Sequence, residues 1–179
     1  MKRLILILGP NGVGKSSVSL ALLQALPHSA YVDSDWCRMM NPPPTTAGEL
    51  TAVRHNLLAL MRNYFECPGI ETVIFPYGFH GHRRQLFTQL LDALRRDIRF
   101  LLCPVVLECS EAENLRRMRA DGRDEARIAR ALDNSRGIYE NEPYPRLDVT
   151  DLTVAETAER ILALVSQEIA GDELPSAEA

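Results

Sequence analysis

The chain has 179 residues, 46% of them hydrophobic and 25% charged, with a formal net charge of −4. That length holds one domain with a full core and is short for two. The acidic balance argues against a nucleic-acid coat, and no stretch approaches the roughly 20 apolar residues of a membrane span.

The first element is the apolar run Arg3–Leu8, read as a strand. It follows Lys2 and Arg3 and superficially suggests a signal peptide. Gly9-Pro10-Asn11-Gly12 interrupts it too early for one, so the expected location is cytoplasmic. A helix should begin near Lys15, with Val18, Ala21, Leu22, Ala25 and Leu26 on one face. Ala30–Asp33 reads as a second strand. Leu50, Val53, Leu57, Leu60 and Tyr64 then mark a second helix, and Thr72–Phe75 a third strand. Leu86, Phe87, Leu90, Leu91 and Leu94 give a third helical stripe, followed by strand Leu101–Glu108. After an arginine-rich helical segment come strand Leu147–Val149 and a last helix carrying Val154, Ala158, Ile161, Leu162 and Val165. Thr46…Glu49, Ser110…Glu113 and Thr153…Glu156 have the spacing of capping boxes, in which hydroxyl and carboxylate each satisfy a backbone N–H.

Strands alternating with helices predict an α/β fold, a parallel sheet covered on both faces. One domain over 1–170 is expected, with a tail at 171–179 that lacks apolar anchors. Cys37, Cys67, Cys103 and Cys109 form no CxxC pair and no zinc spacing, so they read as reduced thiols.

The loop GPNGVGKS, Gly9–Ser16, matches GxxxxGK[ST] and lies where that motif belongs, between a strand and a helix. Glycines let the backbone approach an anion, and successive N–H groups of Asn11, Gly12, Val13 and Gly14 can form a nest at the helix N-terminus. Lys15 would place its ammonium on the β- and γ-phosphates of ATP. Ser16 would offer its hydroxyl to Mg²⁺, and Ser17 is a weaker candidate for the α-phosphate. Lys2 and Lys15 are the only lysines, so the base-reading Asn/Thr-Lys-x-Asp of GTPases is excluded. The third strand runs into Pro76 and Tyr77 where hydrolysis-driven motors carry an acid, which disfavours a motor.

The second strand ends in Asp33-Ser34-Asp35, at the edge where ligands bind in open α/β sheets. Asp33 could hold Mg²⁺ directly or through water, and Asp35 could orient an acceptor hydroxyl. Two loop acids capping the next helix would use the same residues.

GPNGVGKS, YVDSD and the segment after the fourth strand together resemble the small P-loop kinases. These include shikimate and gluconate kinases and their relatives among nucleotide kinases and antibiotic-modifying phosphotransferases. The resemblance covers almost the full length. It implies a five-stranded sheet of order 2-3-1-4-5, Asp33 serving the metal and Asp35 meeting the acceptor hydroxyl. Arg116, Arg119 and Arg123 have a spacing similar to that at the lid of shikimate kinases. By that resemblance Arg116 flanks the adenine, Arg119 contacts the phosphates or links lid to core, and Arg123 swings over the phosphates. The expected lid is a short helix-turn-helix over about 116–136. A solvated helix face in an arginine-biased chain would show the same residues.

The second substrate should meet Asp35, Arg38, His80 and Arg83, with His55, Tyr77, His82, Arg84 and Trp36 as further candidates. His80 and His82 could instead cap the helix that follows. The expected activity is transfer of the γ-phosphate of ATP to a small-molecule acceptor. The alternatives are a nucleotide-binding regulator without transfer, and a nucleotide or polynucleotide 5′-kinase, the latter suggested by Asp35-x-x-Arg38 and weighed down by the acidic charge.

Overall fold

The structure, a computed structural model, describes residues 1–172 and side chains as far as Ser166. Five parallel strands form one sheet in the order β2-β3-β1-β4-β5. They are β1 (Lys2–Leu8), β2 (Ser29–Tyr31), β3 (Thr72–Pro76), β4 (Phe100–Glu108) and β5 (Arg146–Asp148). Between them run α1 (Lys15–Ala25), α2 (Ala47–Glu66), α3 (Arg83–Arg95), α4 (Glu111–Ala120) and α5 (Glu125–Asp133), and α6 (Val154–Asp172) follows β5. The part of the expected tail from residue 173 onward lies outside the described residues.

Side chains alternate across the central strand, as the pleat requires. Leu4, Leu6 and Leu8 pack on Val53, Leu57 and Met61 of α2 and on Phe87 and Leu90 of α3. Ile5 and Ile7 point the other way, onto Val18 and Leu22 of α1 and Ile161 and Val165 of α6. Pro76 and Pro104 fit this sheet because each sits where its strand has one neighbour. β2 pairs with β3 only as far as Ile74, and β5 first meets β4 at Val106, so no ladder is interrupted by the missing N–H.

Several expectations shift. β2 and β5 end earlier than expected, at Tyr31 and Asp148, although Val32 N–H still bonds Ile74 and Val149 N–H still bonds Glu108. Helix α2 turns Met61 and Phe65 fully inward, while Leu60 and Tyr64 lie at the margin of its stripe. Val154 opens α6 and is 44% exposed, outside the buried stripe. Thr46 and Thr153 make complete capping boxes. Ser110 accepts from Glu113 N–H, but the Glu113 carboxylate turns to Arg116 and Arg117 instead of reaching back. Ser110 N–H is satisfied by Thr150 Oγ1 at 2.9 Å. Helix α5 has a cap that the sequence reading did not anticipate, Asp124 accepting from Arg127 N–H. Cys37, Cys67 and Cys109 are free thiols, and Cys103 is buried in the sheet.

Candidate nucleotide and acceptor site

The Gly-rich loop leaves the central strand and turns into α1. At Gly9, φ is 137°, and a Cβ would stand 2.4 Å from the carbonyl oxygen of Leu107 on β4. At Gly12, φ is 87°, and a Cβ would stand 2.4 Å from Met118 Cγ of α4. Both positions demand glycine twice over, for backbone conformation and for space. The loop is thereby pressed between β4 and α4. Helix α1 begins on Gly14 with no side-chain cap and no acid in its first turn, so its leading N–H groups face outward.

Lys15 Nζ donates to the carbonyls of Gly9 at 2.9 Å and Pro10 at 2.8 Å. Burial, reinforced by Arg83 and Arg123, lowers its pKa to about 7. A cation enclosed among cations in this way gains most from an anionic partner.

A cavity of about 730 Å³ opens over this loop, a volume typical of a small-ligand site. Asn11–Ser17 form its floor. Glu113, Arg116 and Arg117 of α4 and Asp121 and Arg123 of the following turn form one wall, and Thr150–Val154 another. Asp35 reaches its rim, so Lys15 at the start of α1, Asp35 after β2 and Arg123 after α4 line one space. Gly9 lies beneath the floor. Arg116 is largely exposed and bonds Glu113 through two nitrogens. Arg123 is mostly covered and lies 3.3 Å from Asp121. Arg119 is absent from the cavity wall and instead pairs with Glu125 of α5, joining the two helices. Helices α4 and α5 share a small core of Met118, Ile128 and Ala131.

Two residues that the sequence reading passed over hold the loop. Arg117 donates to the carbonyl of Val13 at 2.8 Å and of Val149 at 2.7 Å, and pairs with Glu113. It ties α4, the Gly-rich loop and the end of β5 together. Its only sequence signal was the i, i+4 spacing from Glu113. Tyr139, after α5, donates its buried hydroxyl to the Gly9 carbonyl at 2.8 Å and accepts from Phe79 N–H at 3.1 Å. No periodicity marks it, because it sits in a turn-rich stretch.

On the other side of Lys15, Asp33 is engaged locally. Its Oδ1 accepts from Asp35 N–H at 2.8 Å, and its Oδ2 accepts from the Tyr31 hydroxyl at 2.9 Å. Burial and this carboxylate push the Tyr31 hydroxyl up to about 12. The Asp33 turn throws the Asp35 carboxylate outward, 77% exposed, where Arg83 Nη2 approaches it to 3.3 Å. Arg83, the first residue of α3, also bonds the Ser34 hydroxyl and lies 4.7 Å over the Tyr77 ring. Tyr77 itself is core, 2% exposed and stacked on Phe75. Arg38 ends a single turn of 3-10 helix, Trp36–Arg38, and its Nη2 lies 3.5 Å from His82 Nε2. Burial, with Arg83 and Lys15 nearby, pulls His80 down to about 4, which keeps its ring neutral near pH 7. His82 occupies the N-cap position of α3 but makes no side-chain cap bond. Arg84 turns away to pair with Glu142 and cover Phe79. His55 is exposed on α2.

Solved structures share this architecture. A tunicamycin resistance protein from Deinococcus radiodurans aligns with a TM-score of 0.64 at 23% identity, over 92% of this chain and 96% of its own. A gluconokinase from Sinorhizobium meliloti 1021 gives 0.62 at 19%, over 96% and 98%. A shikimate kinase from Bacteroides thetaiotaomicron gives 0.53 at 21%, over 92% and 98%. No curated protein matches the sequence. The sheet order and the neighbours agree that the fold is that of the small P-loop kinases. A family model described as an AAA domain matches residues 5–142, from the first strand to the turns that follow α5, and the chain therefore belongs to the AAA domain family.

Proposed function

We propose that the protein is an ATP-dependent phosphotransferase that moves the γ-phosphate of ATP to a hydroxyl of a small-molecule acceptor. One observation carries this reading: Lys15, Asp35 and Arg123 line a single cavity floored by the Gly-rich loop. A protein that only binds nucleotide has no need of a carboxylate at the acceptor rim.

The triphosphate would lie along Asn11–Ser17, with loop N–H groups and the α1 N-terminus directed at its oxygens. Lys15 would exchange its two loop carbonyls for the β- and γ-phosphate oxygens. The adenine would rest between Arg116 and the Thr150–Val154 segment. Arg123 would face the equatorial oxygens, where charge accumulates in a loose transition state. Asp35 would accept the acceptor's hydroxyl proton as the new O–P bond forms and the bond to ADP breaks.

Ser16 and Asp33 suit Mg²⁺. Both are hard oxygen donors, each Asp33 oxygen accepts one hydrogen bond and keeps a further lone pair, and Tyr31 stands beside both residues. One carboxylate and one hydroxyl, completed by waters and phosphate oxygens, is a usual environment for this ion. When bound, it would neutralise charge on the phosphates.

The test is a metabolite library, including a 5′-hydroxyl oligonucleotide, screened for ADP release with the wild type and with Asp35→Asn. ADP release that depends on one small acceptor and is lost in the variant supports the reading. Tight nucleotide binding with no acceptor-dependent release would instead identify a regulator, and release driven by the oligonucleotide a polynucleotide kinase.

A further inference from the structure

Arg38 and Arg83 are brought together from separate elements, the 3-10 turn after β2 and the first turn of α3. Burial and the nearby Arg83 guanidinium lower the pKa of Arg38, and the charges of both arginines bear on His82. Arg83 is seven-eighths covered, with 13% of its side chain exposed. Yet Arg38 Nη1 and Arg83 Nε are both shielded from solvent and have no hydrogen-bond partner among the described residues. Buried guanidinium nitrogens without acceptors are uncommon and call for an explanation.

Local acids do not supply one. The carboxylate that faces both guanidiniums is Asp35, and it touches Arg83 only at 3.3 Å with most of its surface in water. Asp33 is committed to Tyr31 and to its own turn. Glu142, a buried acid, is taken by Arg84. His80 and Lys15 add no negative charge, and both are lowered first by burial and then by neighbouring cations, Arg83 among them. Two cations with free donors therefore share one exposed carboxylate, and on the reading above that carboxylate is needed by the acceptor hydroxyl.

We propose that the acceptor carries, besides its reacting hydroxyl, an oxyanion that seats between Arg38 and Arg83. This rests on the phosphotransferase reading for the hydroxyl, but not for the oxyanion site itself. A carboxylate or phosphate ester offers the planar or trigonal oxygens that guanidinium forks bind in pairs. Arg83 stands within contact of Asp35, so oxyanion and hydroxyl must be separated by only a few bonds. The substrate class is accordingly a small hydroxy acid or phosphomonoester, not a neutral sugar or nucleoside.

Trp36, the sole tryptophan, is 73% exposed and lies between Asp35 and Arg38 in the chain. It provides a binding signal independent of turnover. In the first arm, protein saturated with Mg²⁺ and a nonhydrolysable ATP analogue, so that the Gly-rich loop is filled, is titrated with sulfate. A saturable change in Trp36 fluorescence is expected, weakened about tenfold or more in Arg38→Met. Arg38→Lys should recover part of it, and melting curves confirm that each variant is folded. In the second arm, hydroxy acids and phosphate esters are compared with their neutral amides or alcohols by ADP release. The anionic member of a productive pair should be favoured about 100-fold in kcat/KM, with a rise in KM of similar size in Arg38→Met. Carboxylate-only or phosphate-only turnover identifies which oxyanion is used. Neutral and anionic members turned over equally would overturn the proposal and leave the kinase reading standing. Arginine-dependent sulfate binding without turnover of any acceptor would do the reverse. Loss of both signals would overturn the oxyanion site.

Discussion

Replacing Tyr139 by Phe removes one oxygen atom and keeps the ring, which packs on Phe79 with centroids 6.1 Å apart. That oxygen joins two loops. It donates to Gly9 beneath the Gly-rich loop and accepts from Phe79 N–H on the segment that leads to His80 and Arg83. The Gly9 carbonyl keeps its bond to Lys15 at 2.9 Å, so the principal loss falls on Phe79 N–H, in a residue only 4% exposed. A buried donor left unsatisfied costs about 1–3 kcal/mol. Taking about 2 kcal/mol and the 2–4 °C per kcal/mol of a chain this size, Tyr139→Phe should lower the melting temperature by roughly 4–8 °C. Urea unfolding of the two proteins, read by circular dichroism, measures the same loss at constant temperature. A difference below about 0.5 kcal/mol would refute the reasoning, because it would mean that the N–H finds water or another acceptor and that Tyr139 does not couple the loops.

The depressed Lys15 makes two predictions. Its folded pKa of about 7 lies below the ordinary 10.5, so the charged form costs stability fully below pH 7 and progressively less as pH rises toward 10.5. Stability of the wild type should therefore climb across that window more steeply than that of Lys15→Met, in urea titrations at a series of pH values. On the proposed reading ATP restores the charge, so calorimetry near pH 8 in buffers of different ionisation enthalpy should show uptake of about one proton per ATP bound, and none in the variant. Asp35→Asn should cut turnover by about 10²–10⁴-fold with ATP affinity kept, whereas Asp33→Asn should raise the Mg²⁺ needed for half-maximal rate. Rescue of Asp35→Asn by excess Mg²⁺ would show the roles reversed. Arg117→Met removes charged donors from the Val13 and Val149 carbonyls and should cost about 1.5–3 kcal/mol. Hydrogen exchange over 111–133 should then quicken in the free protein and no longer slow when an ATP analogue is added; unchanged exchange would show that Arg117 does not link α4 to the loop.

The Gly-rich loop was legible because everything that defines it is contiguous. An apolar strand, glycines with positive φ and a helix without an N-terminal acid follow one another within 25 residues. The α3 stripe was legible for a similar reason, since Leu86, Phe87, Leu90 and Leu94 repeat at the helical period and all are buried. The α2 stripe is legible at Val53 and Leu57, but its last two turns bury Met61 and Phe65 instead of Leu60 and Tyr64, because apolar residues lie side by side there and only the neighbouring α3 and β1 decide which turn inward. The arginines show the limit most clearly. Arg116, Arg117, Arg119 and Arg123 are one residue type on one short segment, yet they end on a neighbouring acid, on two distant carbonyls, on the next helix and in the cavity wall.

Alternating apolar runs and helical periods were enough to determine a parallel α/β sheet, and GPNGVGKS enough to place its phosphate-type loop after the first strand. Those features depend on residues close in the chain, where steric preference and periodicity act without help from the rest of the fold. Tertiary structure alone decided that Tyr139 braces Gly9 across 130 residues and that Arg117 reaches Val13 across 104. It alone set Arg38 beside Arg83 with two nitrogens unpartnered among the described residues. Such contacts come from the parallel crossovers, which carry every strand's C-terminal end to the same edge of the sheet. A long polar side chain takes whichever partner that edge presents, and its own sequence neighbourhood holds no record of the choice.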